Sequence, residues 1–222
     1  MPCLNEEPTI GDCIKKIKKV FEKENLRGEI IVSDSSVDNS PTIAKELGAK
    51  VVHPPEKGYG NAYLTGLSEA KGKYIIMADA DGTYDFQEIS KFIKILKYDK
   101  VDLAIGTRLK GKILPGAMPR LHRYVGNPIL TLITNILFGT RFSDTHCGMR
   151  AFTKEAWEKI RATSPGMEFA SEMIIKAAKN KLKIVEIPIT YYPRRGTPSK
   201  LNSLKDGYRH LKTLLKERFL RD

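Results

Sequence analysis

The strongest constraint on the fold is a regular alternation of strand-like and helix-like segments in the first half of the chain. Short apolar runs that predict strands lie at 29–34, 49–53, 73–79 and 101–107. Amphipathic segments separate them, and two of these open at helix-start signals, Ser40–Pro41 and Asp85. Strands that alternate with helices are joined by crossovers, which makes the strands parallel. The sequence therefore predicts an α/β fold with a doubly wound, mostly parallel sheet and helices on both faces.

The second half of the chain departs from this alternation. A basic loop rich in Gly and Pro (108–120) precedes a predicted amphipathic helix at 121–138, and further helices surround one strand at 183–191. The opening stretch MPCLNEEPTI is typical of a loop that runs into a helix, so the first strand expected of such a fold is apparently missing from this sequence. Because no linker or repeat divides the chain, we expect a single domain, 1–222.

The segment IIMADADGTYD, at 75–85, ends an apolar strand in three carboxylates. Ligands of parallel α/β sheets bind at the carboxyl ends of strands, and side chains two apart in an extended segment point the same way. Asp79 and Asp81 can therefore face one ligand. Two carboxylates a few ångströms apart repel by about 1 kcal/mol or more, and a divalent cation such as Mg²⁺, which also binds substrate phosphates, removes that conflict. The pair predicts a metal site, and Asp85 predicts a helix cap.

The net charge of +12 is unevenly distributed. No Asp or Glu occurs between residues 103 and 143, and Lys and Arg outnumber acids nine to three in the last 29 residues. Such clusters favour an anionic partner, which could be nucleic acid, a membrane surface or a phosphate-bearing substrate. No nucleic-acid-binding motif or aromatic-rich basic face accompanies them, so we do not expect nucleic acid as a partner.

Two segments have the pattern of helices that lie on a membrane surface. The predicted helices at 121–138 and 204–222 combine apolar stripes with basic residues. No run of 18 apolar residues predicts a membrane-spanning helix, and no signal-peptide pattern opens the sequence. Three cysteines without a CxxC pair favour a reducing compartment. We therefore expect a cytoplasmic protein that is peripherally associated with the cytoplasmic membrane.

The DADGT sequence at 79–83 fits two kinds of enzyme. It matches the DxDGT motif of haloacid-dehalogenase-type phosphatases, in which the first Asp attacks phosphate and the second acts as acid and base. That motif normally opens its chain and needs a downstream acidic pair to complete a Mg²⁺ site. Here three predicted elements precede the motif and the later acids are scattered. The phosphatase is therefore the less favoured interpretation.

The second interpretation rests on motifs along nearly the whole chain. They are PCLNEEPTI, IIVSDSSVDNS, KGYGNA, ADADGTYD, GTRLKG, DTHCGMRAF and RRGTPSKLNSLKDGYRHL. Together they resemble family 2 glycosyltransferases of the GT-A fold, close to the polyprenyl-phosphate sugar transferases (dolichyl-phosphate mannose or glucose synthases). Ser33 departs from the family's pattern, which has an Asp before the position of Asp34, so the nucleotide base is left undetermined.

The resemblance also implies roles for individual residues. The nucleotide-sugar donor is expected to contact Pro2, Leu4, Asn5, Glu6, Asp34, Lys57, Gly58, Asp79, Ala80 and Asp81. The catalytic candidates are Asp81, Arg108, Asp144 and Glu172. The acceptor phosphate is expected to bind Arg108, Arg120, Arg123, Arg195 and Lys200. Asp79 and Asp81 are expected to hold Mg²⁺ or Mn²⁺.

These roles imply a metal-dependent, inverting transfer of a hexose from a GDP- or UDP-sugar to a polyprenyl (dolichyl) phosphate at the cytoplasmic membrane face. A lipid phosphate is already an anion, so it needs cations to hold it rather than a strong general base. The alternative within the family is a soluble or polysaccharide acceptor. The donor-binding half is expected at 1–107, the acceptor-binding half at 108–203 and a basic amphipathic helix at 204–222.

Overall fold

The computed structural model describes residues 1–198 and 203–219, and within them the chain forms seven strands and eight α-helices. The strands are β1 (Pro2–Cys3), β2 (Ile31–Asp34), β3 (Lys50–Val52), β4 (Tyr74–Met77), β5 (Leu103–Ile113), β6 (Arg150–Thr153) and β7 (Ile184–Tyr191). The helices are α1 (Glu7–Lys23), α2 (Ser40–Glu46), α3 (Tyr59–Ser68), α4 (Ile89–Tyr98), α5 (Asn127–Phe138), α6 (Lys154–Ile160), α7 (Phe169–Lys179) and α8 (Ser203–Phe219). A short 3₁₀ turn, Phe86–Glu88, precedes α4, and a π-helical turn, His122–Gly126, precedes α5.

The strands form two sheets. The first is parallel throughout, in the order β1-β2-β3, with Pro2 opposite Ser33 and Val32 opposite Val51. The second has the order β4-β6-β5-β7, in which β5 and β7 are parallel and β6 runs antiparallel to both of its neighbours. Helices cover both faces, so the predicted α/β class with a mostly parallel arrangement is confirmed.

Three features differ from the sequence-based expectation. The opening residues were expected to be a loop, but Pro2–Cys3 pairs with β2 as a short parallel strand. The antiparallel strand β6, within the DTHCGMRAF motif, was not anticipated. The fourth strand was expected to end at residue 107, but β5 continues to Ile113 because its second half pairs again with Thr190 and Tyr191 of β7 after a register shift.

The largest core lies around the second sheet and holds Phe92, Leu103, Phe152 and Phe169, all without measurable exposure. The buried guanidinium of Arg150 fixes this core to the loop before β6. It donates to Cys147 O at 2.9 Å, Ala170 O at 2.8 Å and Thr145 O at 2.9 Å. A buried charge is tolerated only when it is hydrogen-bonded in this way, so Arg150 holds the DTHCG segment against α7.

A buried polar network fixes α8 to the rest of the protein. His210 Nδ1 lies 2.8 Å from Ser171 Oγ of α7, and the same hydroxyl lies 3.2 Å from His146 Nε2. The two imidazole rings stack edge to face with their centroids 4.6 Å apart. Burial lowers the pKa of His210 to about 4 and holds the pKa of His146 well below its ordinary value. Both rings are therefore neutral at pH 7.

Acid should weaken this attachment. The pKa of His210 falls from 6.5 to about 4 on folding, so the unfolded chain takes up the proton first. Neutral His210 therefore contributes roughly 3 kcal/mol to the free energy of unfolding. This contribution is fully present above pH 6.5 and is lost as the pH falls toward 4. Chemical denaturation at pH 7.5, 5.5 and 4.5 measures the loss. His210→Asn should reduce the dependence of the unfolding free energy on pH. The control His53→Asn, at an exposed histidine, should not reduce it. If the wild type and His210→Asn lost the same unfolding free energy between pH 7.5 and 4.5, His210 would not be the source of the loss.

Candidate active site

The carboxyl ends of β1, β2 and β4 meet the start of α1 and the loop after β7. The Thr9 hydroxyl of α1 donates to Ala80 O at 2.8 Å, which fixes the start of this helix against the residues that follow β4. Tyr192 N, after β7, donates to Thr83 O at 2.9 Å and ties the second sheet's last loop to the same place. Ligands of α/β proteins bind at this edge of the sheet, so we place the candidate site here.

Asp81 lies at the centre of this site and is almost completely buried. Its Oδ1 accepts hydrogen bonds from Thr83 N at 3.0 Å and from the Thr83 hydroxyl at 2.6 Å. Gly82, between them, has a φ of +78°, a left-handed conformation that favours glycine and allows this tight turn. The second oxygen, Oδ2, lies 2.5 Å from Arg194 Nη1. One carboxylate oxygen of Asp81 is thus held by the turn at Gly82 and Thr83, and the other faces the guanidinium of Arg194.

Asp79 faces a more apolar environment. Its Oδ1 accepts a hydrogen bond from the Tyr63 hydroxyl at 3.0 Å, and its Oδ2 lies so close to Gly148 that a Cβ there would be 3.0 Å away. Burial, followed by the negative charge of Asp81, raises the pKa of Asp79 from 3.8 to about 6. The two carboxylates are therefore close enough to repel each other, and the surrounding groups compensate only part of this repulsion.

The carboxylate pair fits a divalent cation of the kind predicted from the sequence. Carboxylate oxygens are the preferred ligands of Mg²⁺ and suit Mn²⁺ as well, and a cation beside them would reverse the raised pKa of Asp79. Across the described residues, no group of three or more His, Cys, Asp and Glu side chains is arranged to hold a metal ion. The remaining ligands would have to come from water or from a substrate, as is usual for Mg²⁺ bound with phosphates.

Arg194 bridges two acidic side chains of the site. Its guanidinium forms an ion pair with Asp81 and a second one with Glu6, the residue before α1. The same loop adds a hydrogen bond from the Thr197 hydroxyl to Glu6 Oε2 at 3.2 Å. Arg194 therefore joins the ends of β1, β4 and β7 and occupies the cationic position next to Asp81.

The neighbouring Arg195 is the residue of this pair that the sequence motif predicts to bind the acceptor phosphate. Arg195 is exposed, and its guanidinium lies 3.5 Å from Asp12 on the surface of α1. Its Nε also lies 3.6 Å from the position that a Cβ on Gly82 would take, so Arg195 borders the turn after Asp81, whereas Arg194 is the arginine that pairs with Asp81 itself. The RR pair after a strand was the available signal, but the pattern did not say which arginine points inward. Lys200, the other candidate from this loop, lies outside the described residues.

The donor candidates from the first two loops are joined through a serine. Buried Asp34 accepts from the Ser36 hydroxyl at 2.6 Å and from Ser36 N at 3.1 Å. The Ser36 hydroxyl in turn accepts from Asn5 N at 2.7 Å, and Asn5 Oδ1 accepts from Val37 N at 2.9 Å. Pro2 and Leu4, on the same first loop and strand, are half-buried. Asp34 thus shapes the loop after β2 with both of its oxygens.

The KGYGN loop packs closely against the segment before α7. A Cβ at Gly60 would lie 1.9 Å from Ser164 O, and a Cβ at Gly58 would lie 2.5 Å from Pro165 O. Asn61 N donates to Pro165 O at 3.0 Å. Both positions therefore require glycine because the backbones touch. The adjacent Lys57 is exposed.

Glu172, a catalytic candidate from the sequence, binds the backbone of Thr163 and Ser164, in the segment that packs against the KGYGN loop. Its Oε2 accepts from Thr163 N at 3.0 Å and Ser164 N at 2.7 Å, and its Oε1 forms an ion pair with Lys176 at 2.8 Å. Although burial opposes it, these hydrogen bonds lower the pKa of Glu172, so the carboxylate is ionised. In this arrangement Glu172 positions the loop that packs on Gly58 and Gly60.

Arg108 and Asp144, both candidates from the sequence, bind each other. Arg108 Nε lies 2.7 Å from Asp144 Oδ2, its Nη2 lies 2.8 Å from Oδ1, and its backbone N also donates to Oδ2. Burial opposes ionisation, but the charge and hydrogen bonds of Arg108 lower the pKa of Asp144. The guanidinium also lies 5.2 Å from the ring centroid of Tyr191. The charge of Arg108 is therefore neutralised locally.

Arg120 and Arg123 lie on the segment that leads into α5. Arg120 is exposed, and the Arg123 guanidinium lies 5.3 Å from the Tyr124 ring centroid. This segment begins an apolar surface formed by α5, its π-helical turn and α8, which pack together. We define the exposed apolar face by side chains that are 37% to 72% exposed: Val125, Ile129, Leu132, Ile136, Tyr208, Leu211, Leu215 and Phe219. Within the described residues, no helix is long and apolar enough to cross a membrane.

Comparison with known proteins identifies the family. Residues 1–161, which include the Asp79–Asp81 pair and the Arg108–Asp144 pair, match the family described as Glycosyl transferase family 2. The chain belongs to glycosyl transferase family 2. This confirms the resemblance drawn from the sequence motifs.

Two curated relatives are named as enzymes that transfer sugars. The low-salt glycan biosynthesis hexosyltransferase Agl6 of Haloferax volcanii is 49% identical over 97% of this chain and 52% of its own length, so this chain spans about half of that protein. A UDP-N-acetylglucosamine–dolichyl-phosphate N-acetylglucosaminyltransferase of Methanococcus voltae is 34% identical over 89% of this chain and 88% of its own length.

A solved structure supports the fold. Glucosyl-3-phosphoglycerate synthase from Mycobacterium tuberculosis, in complex with Mn²⁺, uridine diphosphate and phosphoglyceric acid, superposes with a TM-score of 0.78. The alignment covers 100% of this chain and 78% of that one at 21% identity. The likeness confirms the predicted GT-A fold for this family 2 chain.

The Arg108–Asp144 pair should behave as a buried ion pair. Asp144→Asn leaves the Arg108 guanidinium buried with one neutral partner, and this should cost roughly 3 to 5 kcal/mol of unfolding free energy. The double variant Arg108→Met with Asp144→Leu should cost less than Asp144→Asn because no charge remains buried. Urea denaturation measures each value.

The matched control for this prediction is the exposed pair between Lys50 and Glu69, whose side chains are each 44% exposed. Glu69→Gln should leave the free energy of unfolding nearly unchanged, because water screens an exposed ion pair. If Asp144→Asn cost no more than Glu69→Gln, the Arg108–Asp144 pair would not be a significant stabilising contact.

Proposed function

We propose that this protein is a metal-dependent inverting hexosyltransferase that passes a hexose from a GDP- or UDP-sugar to polyprenyl (dolichyl) phosphate at the cytoplasmic membrane face. The observation that carries the proposal is the carboxylate pair at the end of β4: Asp81 faces Arg194, and burial, followed by the charge of Asp81, raises the pKa of Asp79 to about 6. Family membership and the dolichyl-phosphate relative support sugar transfer to a lipid phosphate.

Asp79 and Asp81 would hold the cation, which when bound would offset negative charge on the departing nucleoside diphosphate. Arg194 supplies a second positive charge at the same place. Its guanidinium pairs with Asp81 in the structure, and with Asp81 engaged by a cation Arg194 would be available to the donor diphosphate. Glu6 keeps Arg194 at the site through the other ion pair.

The acceptor phosphate oxygen would form the new bond to the anomeric carbon as the bond to the diphosphate oxygen breaks, on the opposite face of the sugar. The acceptor enters as an anion, so no residue has to remove a proton from it. We propose one domain in which 1–107 binds the donor, 108–203 binds the acceptor, and the segment 204–222, which contains most of α8, adds a basic membrane contact.

The exposed apolar face supports a peripheral membrane position. On α8, Arg209, Lys212 and Lys216 accompany the apolar side chains, a combination that favours the headgroup region of anionic membranes. Arg120 and Arg123 begin the same surface, where a lipid phosphate would lie at headgroup depth. Their guanidinium groups have the forked geometry suited to phosphate.

Metal and donor should stabilise the protein together. With Mn²⁺ and a UDP- or GDP-sugar at about 100 times the dissociation constant, the stability should rise by about 2.7 kcal/mol, which thermal unfolding detects. Asp81→Asn should abolish the metal-dependent part of the shift. Asp85→Asn, which alters the cap that accepts from Gln87 N and the ion pair with Lys16, should retain it. No metal-dependent shift with any donor in the wild type would rule out the metal-bound donor site.

Neutralising Arg120 and Arg123 to Gln should lower sugar transfer to polyprenyl phosphate in vesicles at least tenfold, because two phosphate-binding charges are lost. The Mn²⁺-linked thermal shift with the donor should stay at the wild-type value. A charge-matched control neutralises Lys91 and Lys94 on the exposed side of α4. Unchanged lipid transfer in the Arg120 and Arg123 variant, or an equal loss in the lysine control, would overturn the assigned acceptor site.

A further inference from the structure

Strand β7 carries a single charged residue, Glu186. Side chains two apart in a strand share a face, and Pro188, which shares the face of Glu186, is exposed. The Glu186 side chain is nevertheless only 11% exposed. A glutamate is rarely enclosed to this extent unless partners replace the water that it loses, so the contacts of this carboxylate indicate its role.

One oxygen of Glu186 binds a whole turn of the chain. Oε1 accepts from Ser143 N at 2.7 Å, from the Ser143 hydroxyl at 2.8 Å and from Asp144 N at 3.1 Å. A carboxylate offers acceptor positions and no competing donor, which suits a point where several donors converge. Glu186 therefore fixes the Ser143–Asp144 turn to β7, although the two segments are more than 40 residues apart in the chain.

The same turn is also fixed to β5. Because the Ser143 hydroxyl donates to Glu186, it accepts from the Thr107 hydroxyl, which lies 2.7 Å away. Thr107 immediately precedes Arg108, and Ser143 immediately precedes Asp144. The two residues in front of the buried ion pair are thus hydrogen-bonded to each other, and Glu186 completes this arrangement.

These contacts determine how Asp144 meets Arg108. Asp144 has no measurable exposure, and its two oxygens bind Nε and Nη2 of the Arg108 guanidinium. A carboxylate matches this fork in only a narrow range of orientations, and Glu186 holds the backbone from which the Asp144 side chain extends. At the other end of β7, the Tyr191 ring centroid lies 5.2 Å from the guanidinium. Strand β7 therefore contributes to the position of both members of the pair.

An ordinary cross-strand ion pair would be the simpler reason for a glutamate at this position. Oε2 of Glu186 does lie 3.0 Å from Lys110 Nζ on β5. The Lys110 side chain is 58% exposed, however, and water screens such a pair. The pair also involves only Oε2, whereas the three donors of the turn converge on Oε1. The contacts to the turn therefore explain the enclosure of Glu186 better than the contact with Lys110.

We propose that Glu186 is a positioning residue, which holds the Ser143–Asp144 turn so that Asp144 orients the Arg108 guanidinium toward the acceptor phosphate. Asp144 engages Nε and Nη2, so the phosphate would meet the remaining nitrogen, Nη1. The role of the phosphate rests on the proposed function, whereas the control of Arg108 by Glu186 rests on the contacts alone.

Two substitutions at Glu186 separate the reach of the side chain from its charge. Glu186→Gln keeps the length and one oxygen for the turn, whereas Glu186→Asp keeps the charge but is shorter by a methylene and no longer reaches the turn. With polyprenyl phosphate in vesicles, Glu186→Asp should raise the KM for this acceptor at least about tenfold, because small displacements of positioning contacts have large kinetic effects. The KM for the sugar nucleotide should not change, and Glu186→Gln should remain close to the wild type in both values.

Lys110→Met is the matched control, because it removes the ion pair with Oε2 and leaves the contacts of Oε1 in place. It should leave both KM values unchanged. An ion-pair role would give the opposite order, with losses in Lys110→Met and Glu186→Gln and full activity in Glu186→Asp. That order, or an unchanged acceptor KM in Glu186→Asp, would overturn the positioning role.

A second measurement requires no activity. Hydrogen exchange of the Arg108 Nε–H, which donates to Asp144, can be followed by NMR, with the Arg150 Nε–H, which donates to Cys147 O, as the internal reference. Glu186→Asp should accelerate exchange at Arg108 at least about tenfold relative to Arg150, whereas general destabilisation would accelerate both equally. An unchanged ratio would refute the positioning of Arg108. A changed ratio in a protein whose wild type transfers no sugar to polyprenyl phosphate would support the positioning and refute the proposed function.

Discussion

Two carboxylates at the end of one strand repel each other, and the groups around Asp79 and Asp81 are arranged to hold them in spite of that repulsion. Low solvent exposure increases the effect, because water screens the charges less. Tyr63 donates to Asp79, the Thr83 turn donates to Asp81, and Arg194 brings a positive charge from the far end of the second sheet. Helix α3, the turn after β4 and the loop after β7 therefore each contribute a group that contacts this pair.

Three other buried carboxylates bind the backbone rather than facing each other. Asp34, Asp144 and Glu172 each accept hydrogen bonds from backbone N–H groups, those of Ser36, Arg108 and Thr163 respectively among others. A carboxylate that binds backbone N–H groups fixes the path of a loop. In this fold they set the shape of the loops around Asp79 and Asp81, and the two closely packed glycines of the KGYGN loop depend on the segment that Glu172 holds.

The features that could be predicted from the sequence are those that depend on residues close together in the chain. The alternation located the parallel strands, and the two-residue spacing brought Asp79 and Asp81 to one place. The antiparallel direction of β6 could not be predicted, because it depends on pairing with strands more than 40 residues distant. Which of the two neighbouring arginines, Arg194 or Arg195, pairs with Asp81 depends on the backbone conformation of a loop at the level of a single residue. The partnership of Arg108 with Asp144 joins two motifs that appeared as separate candidates, and their mutual neutralisation is visible only when the chain is folded.

The attachment of α8 has a mechanical consequence. His210 on that helix reaches Ser171 and then His146, which is two residues from Asp144. The helix with the exposed apolar face is therefore connected by a short series of polar contacts to the ion pair beside Tyr191. Any rotation of α8 must either break the Ser171 contact or carry the DTHCG segment with it. The exposed apolar face of α8 and the buried Arg108–Asp144 pair are consequently mechanically coupled rather than independent parts of the protein.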